Sequence, residues 1–398
     1  MTTGARQCLG IFLAPLVQAT GLGIADVSFA LAVGQLCWGL SQPLWGMAAD
    51  RFGFFAVIGA GAVMLALGLG ASPAMHDTAG LVWTLGVLSA LGGGAGSFAL
   101  LMGATARLLR PEQRSMAAGI LNAGSSFGQF LFAPLSQLLI GLVGWASALV
   151  SLGVLMLGTI PLALLLRTGK GSAAAPAAAS GPGLRQQLVE ARGDASYWCL
   201  HVGFLTCGFH VAFLVTHLPT EVALCGLGSS VGATAIGIIG LTNIVGSLAA
   251  GYLGRRVRLK WLLFGMYLIR ALAVAAYLAA PRSETNFYLF AVVLGLTWLA
   301  TVPPTVGLVG KLFGVRHLAT LFGLTLVSHQ IGGFLGAWLG GLAMSYFGNY
   351  SWMWYADIVL ALGAALVNLP IREAPLEPAD AGNPGPGPAS AAGSDPVR

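Results

Sequence analysis

The stretch GMAADRFG, Gly46 to Gly53, separates two long apolar runs and carries the first adjacent pair of opposite charges in the chain. A related stretch, GYLGRRVRLK from Gly251 to Lys260, stands just past another apolar run in the second half, and the two leading glycines are 205 residues apart. Another pair of segments repeats at nearly the same offset. GILNAGSSFGQFLFAPLSQ from Gly119 aligns with GLTLVSHQIGGFLGAWLGG from Gly323, superposing Gly128 on Gly332. The chain is built as two halves on one plan.

Outward from this loop, the composition sets the solvent. Of 398 residues, 57% are hydrophobic and 8% charged, with 58 glycines. A soluble core cannot hide that much apolar side chain, whereas runs of about 20 residues are what a hydrocarbon layer of about 30 Å requires. Backbone amides in lipid must bond within their own segment, and the runs lack the period-two alternation of barrel strands, so they read as helices. Glycine abundance suits tight helix contacts. Apolar runs fall at 8–22, 27–48, 54–73, 80–104, 116–142, 146–166, 197–220, 230–253, 260–280, 286–309, 319–344 and 352–369. The expected architecture is an all-α membrane protein of twelve transmembrane helices in two pseudo-symmetric six-helix bundles, 1–166 and 195–370. Residues 167–194, containing GKGSAAAPAAASGPG, read as a flexible cytoplasmic linker, and 371–398 as a disordered tail.

Cations occupy alternate loops: Arg51; Arg107, Arg110 and Arg114; Arg167, Lys170, Arg185 and Arg192; Arg255, Arg256, Arg258 and Lys260; Lys311 and Arg316. The other loops hold Arg282 alone. This bias places both termini and the even-numbered turns in the cytoplasm of a cell (inner or plasma) membrane protein. Anionic headgroups account for the net charge of +6, and no nucleic-acid partner is needed. The five cysteines show no paired ligand spacing, so neither a disulfide frame nor a metal site is indicated, and no cofactor is expected. The first span has only about fifteen apolar residues after Arg6. By the repeat offset, Tyr197 corresponds to a position before residue 1, so the first helix is expected to lack its opening turns.

The loop pattern resembles the signature of the major facilitator superfamily, matched at Gly46, Asp50, Arg51 and Gly53. The resemblance covers Met1 to about Leu369 and implies the major facilitator fold, with the loop acid and arginine acting as a cytoplasmic gate. The chain departs from the pattern at Phe54 and Phe55, where basic residues are usual, and at Arg255, where the second copy usually keeps an acid. ARQCLGIF around Arg6 is similar to the first helix of monocarboxylate-type carriers, in which a basic residue faces the substrate. In such carriers the eighth helix often holds an Asp and an Arg four apart. Here those places are Asn243 and Ser247.

Charge in hydrocarbon is costly, so intramembrane ionisable groups are the first functional candidates. They are Arg6, Arg270 and Asp357, with His210, His217 and His329 as titratable groups. Arg6 reads either as a substrate-facing cation or as a snorkelling residue at a helix end. Arg270 reads as structural, with Asp357 as its candidate partner, and Asp357 as lying on a peripheral helix, the ninth and twelfth helices being lateral supports in this fold. His210 is matched to Arg6 by pseudo-symmetry. His329 stands beside Gln330 before a glycine-rich stretch and is the expected proton carrier, since imidazole titrates near pH 6.5. Asn122 and Gln129 share a face of the fifth span. Trp298, with Thr301 and the pair Pro303 and Pro304, interrupts the tenth, and a broken helix commonly lines a cavity. The expected substrate-binding set is Arg6, Asn122, Gln129, His210, Asn243, Trp298, His329 and Gln330, each with interhelical hydrogen bonding as its bland alternative. Gly332 to Gly336 and Gly124 to Gly128 carry the small-residue spacing of close helix contact.

No HExxH, phosphate loop or pair of intramembrane aspartates points to an enzyme. The expected function is secondary active transport by alternating access of a small organic anion such as a monocarboxylate, with or without a proton, by a monomer. Efflux of amphipathic compounds and a non-transporting sensor homologue are the alternatives.

Overall fold

The computed structural model describes residues 1–106, 111–166, 183–314 and 317–373, with Asp50, 103–106 and 111–119 described by backbone alone. Secondary structure among them is helical throughout. The chain opens with α1 (Thr2–Gln7), a 3-10 turn (Leu9–Phe12) and α2 (Leu13–Thr20). Next come α3 (Ile24–Phe52) and α4 (Phe54–Ala71), then α5 (Thr78–Leu81), a π-helical segment (Val82–Leu88), α6 (Ser89–Gly94) and α7 (Phe98–Ala106). After α8 (Pro111–Leu157) and α9 (Thr159–Ala163) comes α10 (Leu184–Gly193). The second half holds α11 (Ala195–Leu224), α12 (Ser229–Leu253), α13 (Leu259–Ala279), α14 (Glu284–Thr297), α15 (Val302–Phe313), α16 (Leu318–Phe347) and α17 (Ser351–Asn368).

Ten stretches among the described residues are long and apolar enough to cross a bilayer. The expected runs at 116–142 and 146–166 fall on one of these, Ile120–Ala163. Within it Gly144 takes φ 77°, a backbone conformation that breaks the helical path where the sequence places a turn. The expected first run appears as the shorter apolar helix Leu9–Thr20.

Two expectations about connecting segments are revised. The end of the 167–194 stretch is not irregular: Leu184–Gly193 is a helix, and Gln187 Nε2 donates to the Phe313 carbonyl at the end of α15. The start of the tail is also docked. Ile371 is fully buried, the Arg372 guanidinium pairs with Asp194, and Glu373 accepts from Leu259 N–H at 2.9 Å and from Lys311 Nζ at 3.0 Å. The rest of both segments, with Arg107, Arg110 and Arg316, lies outside the described residues.

The two copies of the signature loop turn differently. In the first, α3 runs unbroken to Phe52 and the chain reverses on Gly53, whose φ of 86° a side chain would strain. The position 205 residues on is Arg258, with φ −57°. There α12 stops at Leu253, and a hydrogen-bonded turn through Arg256 and Val257 does the work of the glycine.

α11 is the most buried of the candidate spans, with 78% of its window inside the protein, because it meets α12, α16 and α17. Glycines permit the α11–α16 approach: a Cβ on Gly208, Gly332 or Gly336 would collide with backbone of the opposite helix. Gly332 and Gly336 thus do what their spacing predicts. Gly128 packs against Gly4, but Gly124 faces open space, so the expected Gly124 contact is absent.

The halves meet along two seams. α3 lies against α16 through Ser28 on Gly341, Phe29 edge-on to Phe334 and Trp338, and Gly39 against the Gln330 side chain. Beyond Gly39, toward the signature loop, Leu40, Leu44, Met47 and Phe52 are exposed and Gly46 has no neighbour. α8 and α12 form the other seam through Gly237 and Gly240.

Candidate functional site

Arg6 is carried on α1 by a turn that the 3-10 segment Leu9–Phe12 immediately tightens. Gly10 has no room for a side chain because the Val215 and Thr216 backbone of α11 lies against it, so the first and seventh spans touch beside the arginine. The Arg6 guanidinium donates from Nη1 to Gln35 Oε1 at 3.0 Å and lies over the Trp38 ring at 4.4 Å. Its Nε has no protein partner. A small cavity opens here, walled by Arg6, Gln35 and the π-helical Leu85 from the first half and by Val215 and Thr216 from the second. A cation over an indole, with one edge bonded to an amide and donors to spare, suits a planar anion. π-helical turns such as Val82–Leu88 commonly mark functional sites.

Asn122, Gln129 and Asn243 do not converge on Arg6. They form a ladder between α8 and α12. Asn122 Nδ2 donates to Ser247 Oγ at 2.9 Å, Asn243 Nδ2 to Ser126 Oγ at 2.8 Å, and Gln129 Nε2 to the Ile236 carbonyl at 3.3 Å. Asn243 also accepts Leu299 N–H at 3.0 Å, tying the ladder to the break in the tenth span. Here the bland alternative describes the geometry. The ladder's Ser126 sits in Gly124-Ser125-Ser126-Phe127-Gly128, a GxSxG spelling that lies inside α8 rather than on a strand-to-helix turn, so it makes no nucleophile elbow.

The tenth span is broken as its residues predict, α14 ending at Thr297 and α15 starting at Val302. Trp298 is fully buried in the gap. Arg270, also fully buried, donates from Nη2 to the carbonyls of Thr297 at 2.7 Å and Trp298 at 2.9 Å, capping acceptors that the break leaves free. Asp357 is not peripheral. It has no solvent exposure, and its Oδ2 lies 2.5 Å from Nδ1 of His210, whose ring stands edge-on to Trp298 at 5.8 Å. The sequence had a signal for this contact: a lone acid in an apolar span needs a partner. What it lacked was the packing of α11 against α17 that brings the two residues together.

His329 packs edge-on to Phe204 at 5.4 Å, with Nδ1 at 3.2 Å from Gln330 Nε2. Gln330 is buried against Gly39 at the α3–α16 seam. His217 is held by Tyr350 and the Ala337 carbonyl as a packing residue. His201, not singled out by the sequence, bonds Ser328 Oγ through Nδ1 at 2.6 Å. In the loop, Gly46 and Gly53 lie in and after α3, and Arg51 is exposed over the Phe52 ring. The Asp50 side chain lies outside the described residues. Among the described residues no group of histidine, cysteine and acid side chains is arranged to hold a metal.

The profile of the Major Facilitator Superfamily matches residues 1–337 and 227–396. The chain belongs to this family. Its relatives include monocarboxylate transporter 13 of Rattus norvegicus, 25% identical over 371 residues covering 92% of this chain and 85% of that one. Monocarboxylate transporter 11 of Mus musculus is 26% identical over 365 residues, covering 88% and 80%. The fold is similar to the crystal structure of a D-xylose-proton symporter, with a TM-score of 0.71 at 14% identity over 94% of both chains. Family membership and the apolar helices make the chain a multi-pass membrane transporter homologue. The superfamily's transporters are not enzymes.

Proposed function

We propose that the chain is a secondary transporter of a small organic anion, a monocarboxylate or a close analogue, working by alternating access between two six-helix halves of twelve spans in all. The observation that carries this is Arg6, a cation on an indole in a cavity walled by both halves. The names of the relatives support the substrate class. Arg6 binds the carboxylate, Gln35 orients the guanidinium, and Val215 and Thr216 wall the cavity from the second half. Asn122, Gln129 and Asn243 hold the α8–α12 seam, and His329 and His210 lie behind the second-half wall. The seam contacts at Ser28, Phe29 and Gly39, followed by exposed Leu40, Leu44, Met47 and Phe52, support a state closed at the far end and open at the signature loop. With the charge bias of the loops, that open side is the cytoplasm, both termini are cytoplasmic, and the monomer suffices. Asp50 and Arg51 hold that side shut in the opposite state.

The test is initial uptake of labelled short-chain monocarboxylates by purified protein in liposomes, beside a neutral sugar and a hydrophobic cation. Saturable uptake of a monocarboxylate alone is the expected result. Movement of the cation alone would replace this reading with efflux, and movement of nothing would favour a sensor.

A further inference from the structure

The buried group behind Trp298 is larger than a structural pair requires. His210, Asp357 and Arg270 come from three helices, α11, α17 and α13, and none has solvent exposure. The other titratable groups facing them are Cys207 on α11 itself, Tyr267 on α13 and His329 on α16. The break between α14 and α15 contributes the Thr297 and Trp298 carbonyls, the Trp298 ring and the Thr301 hydroxyl. With Arg270 charged, Asp357 ionised and His210 neutral, the group sums to zero charge. In that state His210 Nδ1–H donates to Asp357 Oδ2, which fixes the tautomer and leaves Nε2 as the base. Nε2 has no protein partner, nor has Asp357 Oδ1.

We propose that this group is a proton-binding site of the second half, in which His210 Nε2 takes one proton while Asp357 holds the other face of the ring. Binding takes the group from zero to one positive charge. The imidazolium forms near Arg270, whose Nη2 clasps the Thr297 and Trp298 carbonyls, so repulsion between the two cations loosens that clasp at the break in the tenth span. Proton occupancy thereby reaches the helix that Asn243 links to the α8–α12 seam through Leu299 N–H. An anion entering the cavity offsets the added charge, which would make the pair fill and empty with the substrate. This last step rests on the transport reading; the proton site does not.

Trp298 supplies a probe, because an imidazolium beside an indole quenches its emission more than neutral imidazole does. The experiment records tryptophan emission of the purified full chain between about pH 5 and about pH 8, a window spanning ordinary histidine titration. Trp298→Phe isolates that residue's share. The expected result is a single-proton fall in Trp298 emission on acidification, lost in His210→Gln and moved to lower pH by a unit or more in Asp357→Asn. A Trp298 signal flat across the range, or a step unchanged in either folded variant, overturns the proposal. Should neither variant fold, nitrogen-labelled histidine resonances of the wild type decide: one of the six must titrate with the Trp298 step, and none doing so refutes it. No transported substrate is used, so failure here leaves the anion reading standing, while failure of anion uptake leaves this titration unaffected.

Discussion

At the scale of single residues, the first and seventh spans divide the polar work. Arg6 faces the shared cavity, whereas His210, its pseudo-symmetric counterpart by position, turns into its own half toward Asp357. Arg6 stays charged at any physiological pH, and its planar fork both stacks on Trp38 and bonds Gln35. Lysine cannot keep both contacts. Arg6→Lys should therefore lower kcat/KM for monocarboxylate uptake at least about tenfold, about 1.4 kcal/mol of lost stabilisation, and Arg6→Ala should abolish it. The measurement is concentration-dependent initial uptake in liposomes at matched protein insertion. Gln35→Ala should show a milder loss, since it removes the orienting amide and leaves the charge.

These residues also show what the chain's order of letters could convey. The break at Trp298 was legible because a doubled proline in a span is a local signal, as was the placement of a cation, Arg6, at an apolar run. The roles of Asn122, Gln129 and Asn243 were not, since a polar residue on a helix face looks the same whether it meets a ligand or a serine 125 residues away, as Asn122 does. Asp357 was misplaced for a related reason: a helix's burial depends on which helices pack against it, here α11 and α13 on α17.

At the scale of elements, glycine placement separates contacts that hold from those that move. Gly336 sits where a side chain would strike the Phe209 backbone, and Gly124 where it would strike nothing. Gly336→Val should lower the apparent melting temperature in detergent, reflecting roughly 1–3 kcal/mol of overpacking, while Gly124→Val should leave it within error. Equal shifts would contradict the packing described for α8. The signature loops offer a second contrast. The first turns on Gly53 directly after Asp50 and Arg51, and the second has lost both the acid and the glycine. Asp50→Asn is expected to cut uptake severely with normal insertion, and Arg255→Ala to change it little. The measurement is uptake normalised to membrane-inserted protein for both variants.

At the scale of the whole molecule, the proposed alternating access requires the α3–α16 seam to part. Gln35 and Gly333 face each other across it, an ideal Cβ on Gly333 lying 3.5 Å from the Gln35 Cβ. That is disulfide distance. A Gln35→Cys and Gly333→Cys double variant should cross-link under mild oxidation and stop transport, and reductant should restore the rate the reduced variant had before. Because oxidised and reduced samples share the same substitutions, the loss of Gln35 cancels from the comparison. Full activity of the oxidised form would mean the seam need not open.

The seams themselves carry an implication for how such a carrier responds to its medium. Among the described residues, the ion pairs Arg372 with Asp194 and Lys311 with Glu373, and the hydrogen bond between His210 and Asp357, lie on α11 to α17 and the segments flanking them, and none spans a seam. The side-chain hydrogen bonds described across the α8–α12 seam are amide to hydroxyl and amide to carbonyl, and the α3–α16 seam closes on glycines and aromatic rings. Neutral contacts are barely screened by mobile ions. The closed far end should then hold as well at about 1 M salt as in dilute buffer, leaving any dependence on ionic strength to the Asp50 and Arg51 loop and to the contact of Arg6 with an anion. Cross-linking rate of the Gln35→Cys and Gly333→Cys pair, followed against potassium chloride, measures that indifference directly.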